Sequence, residues 1–148
     1  MEKEFLDVMV PESLKQLGMG ETPEDYYTLG IRFMTAGMEN GDAGALRIAM
    51  YCYEVAAEKG HAGAQSGLSS GFMSGMGVEK DMERAAYWAE KAANQGDSSG
   101  MLGMGICCFH KDDYDKAEYW LKKAVATGHP DAAATLEQVI EMKRILGK

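Results

Sequence analysis

Residues 64–96 read AQSGLSSGFMSGMGVEKDMERAAYWAEKAANQG, and much of this pattern returns in residues 100–128, GMLGMGICCFHKDDYDKAEYWLKKAVATG. The residues that correspond are Ala85, Trp88, Lys91, Ala92 and Gly96 in the first stretch and Ala117, Trp120, Lys123, Ala124 and Gly128 in the second. An internal repeat of this length, with small residues and one large aromatic at fixed places, is typical of solenoids built from helix pairs. The sequence therefore predicts an all-α fold that presents a surface rather than a reaction centre.

Three glycines, Gly60, Gly96 and Gly128, mark the ends of the repeating units. Each follows an amphipathic run rich in Ala and Lys, at the position where a helix ends in a residue that tolerates a positive φ. The chain is therefore predicted to form a single helical-repeat domain, residues 1–148. Its predicted parts are an N-terminal capping segment (1–22), repeat 1 (23–60), repeat 2 (61–96), repeat 3 (97–128) and a C-terminal cap (129–148).

The middle unit shows the pattern of a helix pair most clearly. Leu68 and Phe72 are four residues apart and predict a first helix with one buried face. A glycine-rich turn at 75–78 follows, and Asp81 is placed to cap the second helix. On that second helix Trp88 alternates with alanines, which predicts closely packed helices with an indole ring wedged between neighbouring units.

The two ends of the chain are predicted to cap the stack. Ala132, Leu136 and Ile140 continue the inner stripe beyond the last unit, on a helix with one buried and one wet face. At the other end, residues 1–20 are expected to form one or two short helices. The residues expected to cover the stack there are Phe5, Leu6, Met9, Leu14 and Leu17. In the first unit, the turn around 37–44 is expected to be longer than its counterparts.

The spacing resembles that of a known repeat family. The pattern Ala64-x-x-x-Leu68-x-x-x-Phe72-x-x-Gly75-x-Gly77-Val78-x-x-Asp81-x-x-x-Ala85-x-x-Trp88-x-x-x-Ala92-Ala93-x-x-Gly96 resembles the Sel-one-like repeat, a relative of the tetratricopeptide repeat. The resemblance extends over residues 24–142. It implies a right-handed α/α superhelix of three helix pairs and a C-terminal capping helix, whose first helices line a concave face.

The same resemblance carries expectations about activity. Members of the family generally act as adaptors that scaffold signalling or secretion assemblies, and some small members neutralise toxins. Cysteine-rich relatives, in which disulfides join the two helices of each unit, have been discussed as β-lactam-binding enzymes. The three cysteines of this chain, Cys52, Cys107 and Cys108, have no repeated spacing and offer no such pairing.

The net charge of the chain is −8, and most of the excess acid lies in its first half. Residues 1–60 carry 11 acidic and 5 basic side chains, whereas residues 61–148 carry 12 and 10. An acidic surface repels phosphate groups, so neither nucleic acid nor a membrane is expected as a partner. The start of the chain lacks the apolar run of a signal peptide, and reduced cysteines fit a cytoplasmic location. The acidic first half either keeps the protein soluble or attracts a basic partner.

The histidines and cysteines do not form the patterns that metal sites or catalysis require. His61 and His129 each follow a unit-ending glycine, which favours a structural role in the turn. His110 ends a first helix, where its imidazole can meet free carbonyls or contact a ligand. Cys107 and Cys108 are adjacent on a helix, so their side chains point about 100° apart and cannot chelate one ion. We expect no metal, no cofactor and no enzymatic activity, with a weak hydrolase like the cysteine-rich relatives as the least favoured alternative.

The resemblance places one row of side chains on the concave face, turned away from the second helices. The predicted row consists of Tyr27, Ile31 and Met34 in the first unit, Ser66, Ser70 and Met73 in the second, Leu102, Ile106, Phe109 and His110 in the third, and Gln138 and Met142 in the cap. The row is largely apolar and contains no Lys or Arg, which suits an amphipathic helix or an apolar peptide of a protein partner. The predicted function is a non-catalytic protein-interaction module or adaptor.

Other readings of the same row remain open at this point. The chain can be a toxin-neutralising, immunity-type protein that uses the same surface. Alternatively, the N-terminal segment or the cap folds over the row, or two copies bury it between them in a self-assembling homodimer.

Overall fold

The computed structural model describes residues 2–148, which form eight α-helices and no strand. Their bounds are α1 Glu2–Gln16, α2 Pro23–Asn40, α3 Ala43–Glu58, α4 Ala62–Ser74, α5 Met82–Asn94, α6 Ser98–His110, α7 Tyr114–Ala126 and α8 Ala132–Leu146. Three pairs, α2 with α3, α4 with α5 and α6 with α7, pack one after another, with α1 at one end and α8 at the other. The predicted all-α solenoid of helix pairs is confirmed.

The helices begin and end at residues typical of caps. Thr22 and Asp25 form a capping box at the start of α2, because each side chain accepts a hydrogen bond from the other's backbone N–H. Gly60, Gly96 and Gly128 follow α3, α5 and α7 with φ of 91°, 87° and 87°. Because an L side chain rarely adopts this left-handed conformation, the three glycines end the units as the sequence predicts.

The extra length of the first unit lies in its first helix. α2 continues through Asn40, and α3 begins at Ala43, so the longer turn expected around 37–44 is wrong. Gly37 lies within this helix and is in close contact with Leu46 of α3: a Cβ on Gly37 would lie 2.7 Å from Leu46 Cδ2.

The two helices of a unit approach each other most closely where the first helix carries a small residue. A Cβ on Gly30 would lie 2.7 Å from a tyrosine ring of α3, and one on Gly105 would lie 2.5 Å from Leu121 Cγ. The second unit has Ser69 at this position, and its hydroxyl donates a 2.8 Å hydrogen bond to the carbonyl of Ala85. The buried hydroxyl is thus satisfied, and the close helix contact survives without glycine.

The core lies between first and second helices, in three clusters. The first cluster joins α1 to the first two pairs and reaches Cys107 of α6, and the other two join the third pair to α8 and include Ala93 of α5. Trp88 packs against the first cluster and Trp120 against the other two, and both rings remain half-buried. The indoles therefore help to join neighbouring pairs, while part of each ring stays in contact with solvent.

α1 is one continuous helix, and its buried face differs from the predicted one. Leu6, Val10 and Leu14 point into the stack. Of the residues expected to cover the stack, Phe5, Met9 and Leu17 are exposed instead. The reason is the helical period: residues four apart share a face, whereas each neighbour in sequence points about 100° away.

α1 lies against the second helix of the first pair. The Tyr51 hydroxyl donates a hydrogen bond to the Asp7 carboxylate, and the Arg47 guanidinium pairs with Glu2 at 2.9 Å. The hydrogen bond from Tyr51, and after it the one from Lys3, hold the pKa of Asp7 below its ordinary value. α1 also contacts α2, which carries part of the predicted row, but Ile31 there is exposed, so the N-terminal segment leaves this residue uncovered.

α8 continues the layer of first helices, in a slightly different rotation from the predicted one. Ala132 is fully buried as expected, and Leu136 is half-buried. Ile140 is 46% exposed, whereas its neighbour Val139 is fully buried. Val139 points between α6 and α7, and Ile140 lies on the side where the earlier first helices contact their second helices.

Candidate functional site

The first helices line the inner side of the stack. α4 contacts α6, and α6 contacts α8, whereas no comparable contact joins α3, α5 and α7 within residues 2–148. Helices that approach each other more closely lie on the inside of a curved stack. α4, α6 and α8 therefore lie on the inner side of the stack, and the predicted row, on α2, α4, α6 and α8, is here called the concave row.

The concave row contains both exposed and half-buried side chains. Ile31, Ser70, His110 and Gln138 are exposed, and the other members are half-buried. Ile106 is half-buried but lies outside the three core clusters that residues 2–148 form. A substitution of Ile106 therefore changes the concave face more than the core.

The larger side chains of the row are anchored in the core by one edge. Met34 and Met73 pack against the first core cluster, and Met73 also lies beside Gly103 of α6. Leu102 packs against the second and third clusters, and Phe109 packs against the third, with its ring 5.6 Å from that of Tyr114. These side chains are therefore packed in the core on one edge and line the concave row with the other.

Tyr27 is held more firmly than the sequence suggests. Its ring lies 4.4 Å from that of His61 and 5.7 Å from that of Tyr53, and Gly63 of α4 packs beneath it. Burial, and after it the nearby carboxylates, raises the pKa of the Tyr27 hydroxyl. Tyr27 therefore contributes to packing between the first two pairs as well as to the concave row.

His61 has the structural role that its position predicts. Its Nδ1 accepts a hydrogen bond from the N–H of Ala64 and caps α4, so the ring proton resides on Nε2. Nε2 then donates to the carboxylate of Glu24 at 2.6 Å. His129 also makes a local hydrogen bond in its turn: its Nδ1 accepts from the N–H of Asp131 at 3.2 Å.

An open depression of about 620 Å³ lies between α6 and α8, at one end of the concave row. Its lining comprises Phe109, Ala134, Glu137, Gln138, Glu141, Met142 and Ile145. Of these, only Phe109, Gln138 and Met142 belong to the predicted row. The missed residues follow from helical spacing, because Ala134, Glu141 and Ile145 recur at three or four residues around Gln138.

The centre of the concave face carries no Asp, Glu, Lys or Arg, and His110 at the end of α6 is its one titratable imidazole. Residues 62–74 and 98–110, which form α4 and α6, contain no Asp, Glu, Lys or Arg. The depression at the end of the row has an acidic rim, formed by Glu137 and Glu141. The hydrogen bond with Arg144 lowers the pKa of Glu141 and favours its charged form.

The cysteines are buried, and all three are free thiols. Burial raises the pKa of Cys52 to about 12 and that of Cys107 to about 11. A protonated, buried thiol is a poor nucleophile and a poor metal ligand. Within residues 2–148, no three His, Cys, Asp or Glu side chains are grouped so that they could hold a metal ion. In the same range, no helix is both long and apolar enough to span a bilayer.

Comparison with known proteins identifies the repeat. The Sel1 repeat model matches residues 16–61, 62–97 and 98–129. A solved Sel1 repeat protein from Oxalobacter formigenes is 26% identical, with a TM-score of 0.65 over 91% of this chain and 55% of that chain. A protective antigen of uropathogenic Escherichia coli strains, which displays an SLR fold, is 23% identical, with a TM-score of 0.61 over 81% of this chain and 34% of that one. No curated protein matches the chain significantly.

These matches differ in how much of each protein they cover, and they divide this chain into helix pairs. The chain spans about half of the Oxalobacter protein and about a third of the Escherichia coli antigen. The three matched segments contain α2–α3, α4–α5 and α6–α7, so each repeat corresponds to one helix pair of the structure. The chain belongs to the Sel1 repeat family.

Proposed function

We propose that the concave row binds an amphipathic helix of a partner protein and that the chain works as a non-catalytic adaptor. The observation that carries this proposal is the absence of charge on α4 and α6, in a chain of which 26% is charged. A solvent-facing apolar strip of this kind is typical of interaction surfaces. Sel1 repeats are typically protein-interaction modules and generally non-catalytic scaffolds, which supports the same function.

The concave row is suited to an α-helical partner because it offers apolar contacts on successive helices. Ile31, Ile106 and Met142 provide the accessible part, and Met34 and Met73 provide flexible thioether side chains beneath. A helix with apolar residues at positions i, i+3 or i+4, and i+7 presents a matching ridge. Because the first helices are already packed, binding orders few protein side chains and costs little conformational entropy.

The rim of the depression favours a basic partner. Glu137 and Glu141 lie beside the apolar side chains of Met142 and Ile145. A partner helix that inserts an apolar side chain there, with Lys or Arg next to it, places a cation against Glu137, whereas Glu141 is already paired with Arg144. Such pairs at the edge of an interface speed encounter and select the partner more than they raise affinity.

The test is a comparison of three immobilised proteins: the native chain, the Ile106→Asp variant and the Tyr119→Asp variant. Ile106 lies in the concave row, whereas Tyr119 is an exposed residue of α7. We expect a partner retained from lysate by the native chain and by Tyr119→Asp to be lost with Ile106→Asp. Equal retention by all three proteins would place the binding surface elsewhere.

A direct measurement then tests the kind of partner. The retained protein is identified by mass spectrometry, and its predicted amphipathic helix is made as a peptide. Calorimetric titration is expected to give binding to the native chain, weaker binding to Glu137→Gln, and none to Ile106→Asp. If the retained protein is a toxin whose activity the chain suppresses, the adaptor is an immunity-type protein that uses the same surface.

A further inference from the structure

His61 makes three contacts at the boundary between the first two helix pairs. Its Nδ1 accepts a hydrogen bond from the N–H of Ala64 at 3.1 Å and so caps α4. Its Nε2 lies 2.6 Å from a carboxylate oxygen of Glu24, and its ring lies 4.4 Å from that of Tyr27. Both of these neighbours belong to α2, so one imidazole caps the first helix of the second pair and joins it to the first helix of the first pair.

The cap on α4 exists only while the imidazole of His61 is neutral. The N–H of Ala64 lies in the first turn of α4, where no backbone carbonyl of the helix is available to accept its hydrogen bond. Nδ1 accepts this bond only if it carries a lone pair rather than a proton. The imidazolium carries a proton on both ring nitrogens, so protonation removes the cap bond. A cation at this end of α4 is also opposed by the helix dipole.

The two contacts with α2 favour the imidazolium instead. Glu24 is placed to form an ion pair with it, and the face of the Tyr27 ring attracts a cation. α4 itself contains no Asp, Glu, Lys or Arg. Of the charges on the neighbouring elements, Asp97 acts on Tyr27 and caps α6, and Lys59, directly after α3, lies over another tyrosine ring. Glu24 is therefore the charged group that contacts the imidazole directly.

We propose that His61 is a pH-sensitive switch at the boundary between the first two helix pairs, in which protonation exchanges the cap of α4 for an ion pair with Glu24. The switch uses the one side chain whose charge ordinarily changes between about pH 5 and 8. In the neutral form the first turn of α4 is capped. In the acid form this turn is released, while α2 and α4 are joined by opposite charges. Tyr27 belongs to the concave row, so the switch lies at the edge of that surface, whatever the row binds.

The experiment is an NMR titration of the native chain from about pH 8 to about pH 5. Imidazole 15N shifts give the tautomer of His61 and follow its protonation. Amide exchange of Ala64, corrected for the intrinsic rate at each pH, reports the cap. We expect the Nε2–H tautomer in the neutral form, and a loss of Ala64 protection by about fivefold as the ring is protonated, which corresponds to the loss of one cap. Constant protection through the titration, or an Nδ1–H tautomer, overturns the proposal.

Two asparagine variants separate His61 from a general effect of acid. Asn caps a helix through its amide oxygen at any pH in this range, so His61→Asn is expected to keep Ala64 protected throughout. His129→Asn is the matched control, because the Nδ1 of His129 also accepts a backbone hydrogen bond, from the N–H of Asp131. This variant is expected to lose Ala64 protection as the native chain does. The same loss in His61→Asn would show that the pH dependence arises elsewhere.

The part of the switch that involves α2 is tested by Glu24→Gln, in which the imidazolium has no anion to pair with. The cap of α4 is expected to remain intact at high pH, because Ala64 still donates to Nδ1. We expect the loss of Ala64 protection to move to lower pH, since the charged form is no longer favoured by the carboxylate. Glu24 is 71% exposed, so the variant is expected to keep its native fold. A loss of protection at the same pH as in the native chain contradicts the proposed exchange.

Discussion

Gly75 and Gly77 lie in one tight turn with nearly equal φ, 73° and 71°, yet their surroundings differ. A Cβ on Gly75 would meet nothing closer than 3.6 Å, whereas a Cβ on Gly77 would lie 2.4 Å from the carbonyl oxygen of Leu46. Left-handed backbone costs an L residue roughly 1–2 kcal/mol. We therefore expect Gly75→Ala to lower the free energy of unfolding by that amount and Gly77→Ala to lower it clearly more, in urea titrations followed by circular dichroism. Equal losses would contradict the close approach to α3.

The importance of Gly77 was only partly predictable from the sequence. The glycine-rich stretch at 75–78 predicts a turn, because both residues permit left-handed backbone. The neighbour that excludes a side chain at Gly77 belongs to the preceding repeat, and local spacing says nothing about such a contact. Ser69 is a similar case. In the other units a glycine at this position leaves room for close helix contact, whereas Ser69 is accommodated because its hydroxyl donates a hydrogen bond to the carbonyl of Ala85.

The buried Cys52 thiol makes the free energy of unfolding depend on pH in the alkaline range. Burial raises its pKa from 9.0 to about 12, so between these values the unfolded chain releases a proton that the folded chain keeps. The stabilisation is fully present below pH 9 and is lost as pH rises toward 12, by up to about 1.4 kcal/mol per pH unit for this group. We expect the free energy of unfolding to fall over that range, and to fall less steeply in Cys52→Ala. An unchanged slope in the variant would show that Cys52 does not titrate on unfolding.

At the scale of the element, the sequence predicts where the helices are better than which way they face. The middle pair has one narrow apolar stripe, and its buried face is as predicted. α1 has apolar residues on two sides, so its composition does not distinguish the buried Leu6 from the exposed Phe5. α8 raises the same difficulty, because Val139 and Ile140 are adjacent and equally apolar. In both helices the neighbouring helices determine the rotation.

Helix caps can be compared at two similar positions. Asp97 precedes α6 and accepts a 2.8 Å hydrogen bond from the N–H of Gly100, whereas Asp131 precedes α8 and makes no such bond. Loss of a side-chain cap costs about 1 kcal/mol. We expect Asp97→Ala to lower the free energy of unfolding by that amount, Asp97→Asn to restore most of it, and Asp131→Ala to have a much smaller effect. Thermal and urea unfolding measure all three, and equal effects of the two alanine variants would contradict the distinction.

At the scale of the whole molecule, the concave row could be proposed from the sequence because equivalent positions occur on the first helix of every repeat. The depression between α6 and α8 was found only in part, since its lining depends on how the capping helix is rotated. Glu137 illustrates the point: it aligns with Gly30 and Gly105, which are buried, but lies on the rim of the depression. A residue can keep its place in a repeat and still have different surroundings, because these depend on the helices that pack around it.

The stack also predicts that stability is unevenly distributed along the chain. Each helix packs mainly on its sequence neighbours, and α8 is held chiefly by α7 through the third core cluster, which contains the fully buried Val139. Val139→Ala removes two buried methyl groups and is expected to cost about 2 kcal/mol. In a solenoid whose helices contact mainly their sequence neighbours, this loss of stability affects chiefly the end of the stack that contains α8.

Hydrogen exchange measured by mass spectrometry, at a concentration where the chain is monomeric, tests this distribution. In Val139→Ala we expect faster exchange of the amides of α8 and, to a lesser degree, of α7, whereas those of α3 and α4 keep their native protection. Ile140→Ala is the matched control, because it removes a larger but half-exposed side chain from the adjacent position and is expected to leave exchange nearly unchanged. A uniform loss of protection from α2 to α8 would instead mean that the repeats unfold as one cooperative unit, because an opening at α8 would then extend through the whole stack.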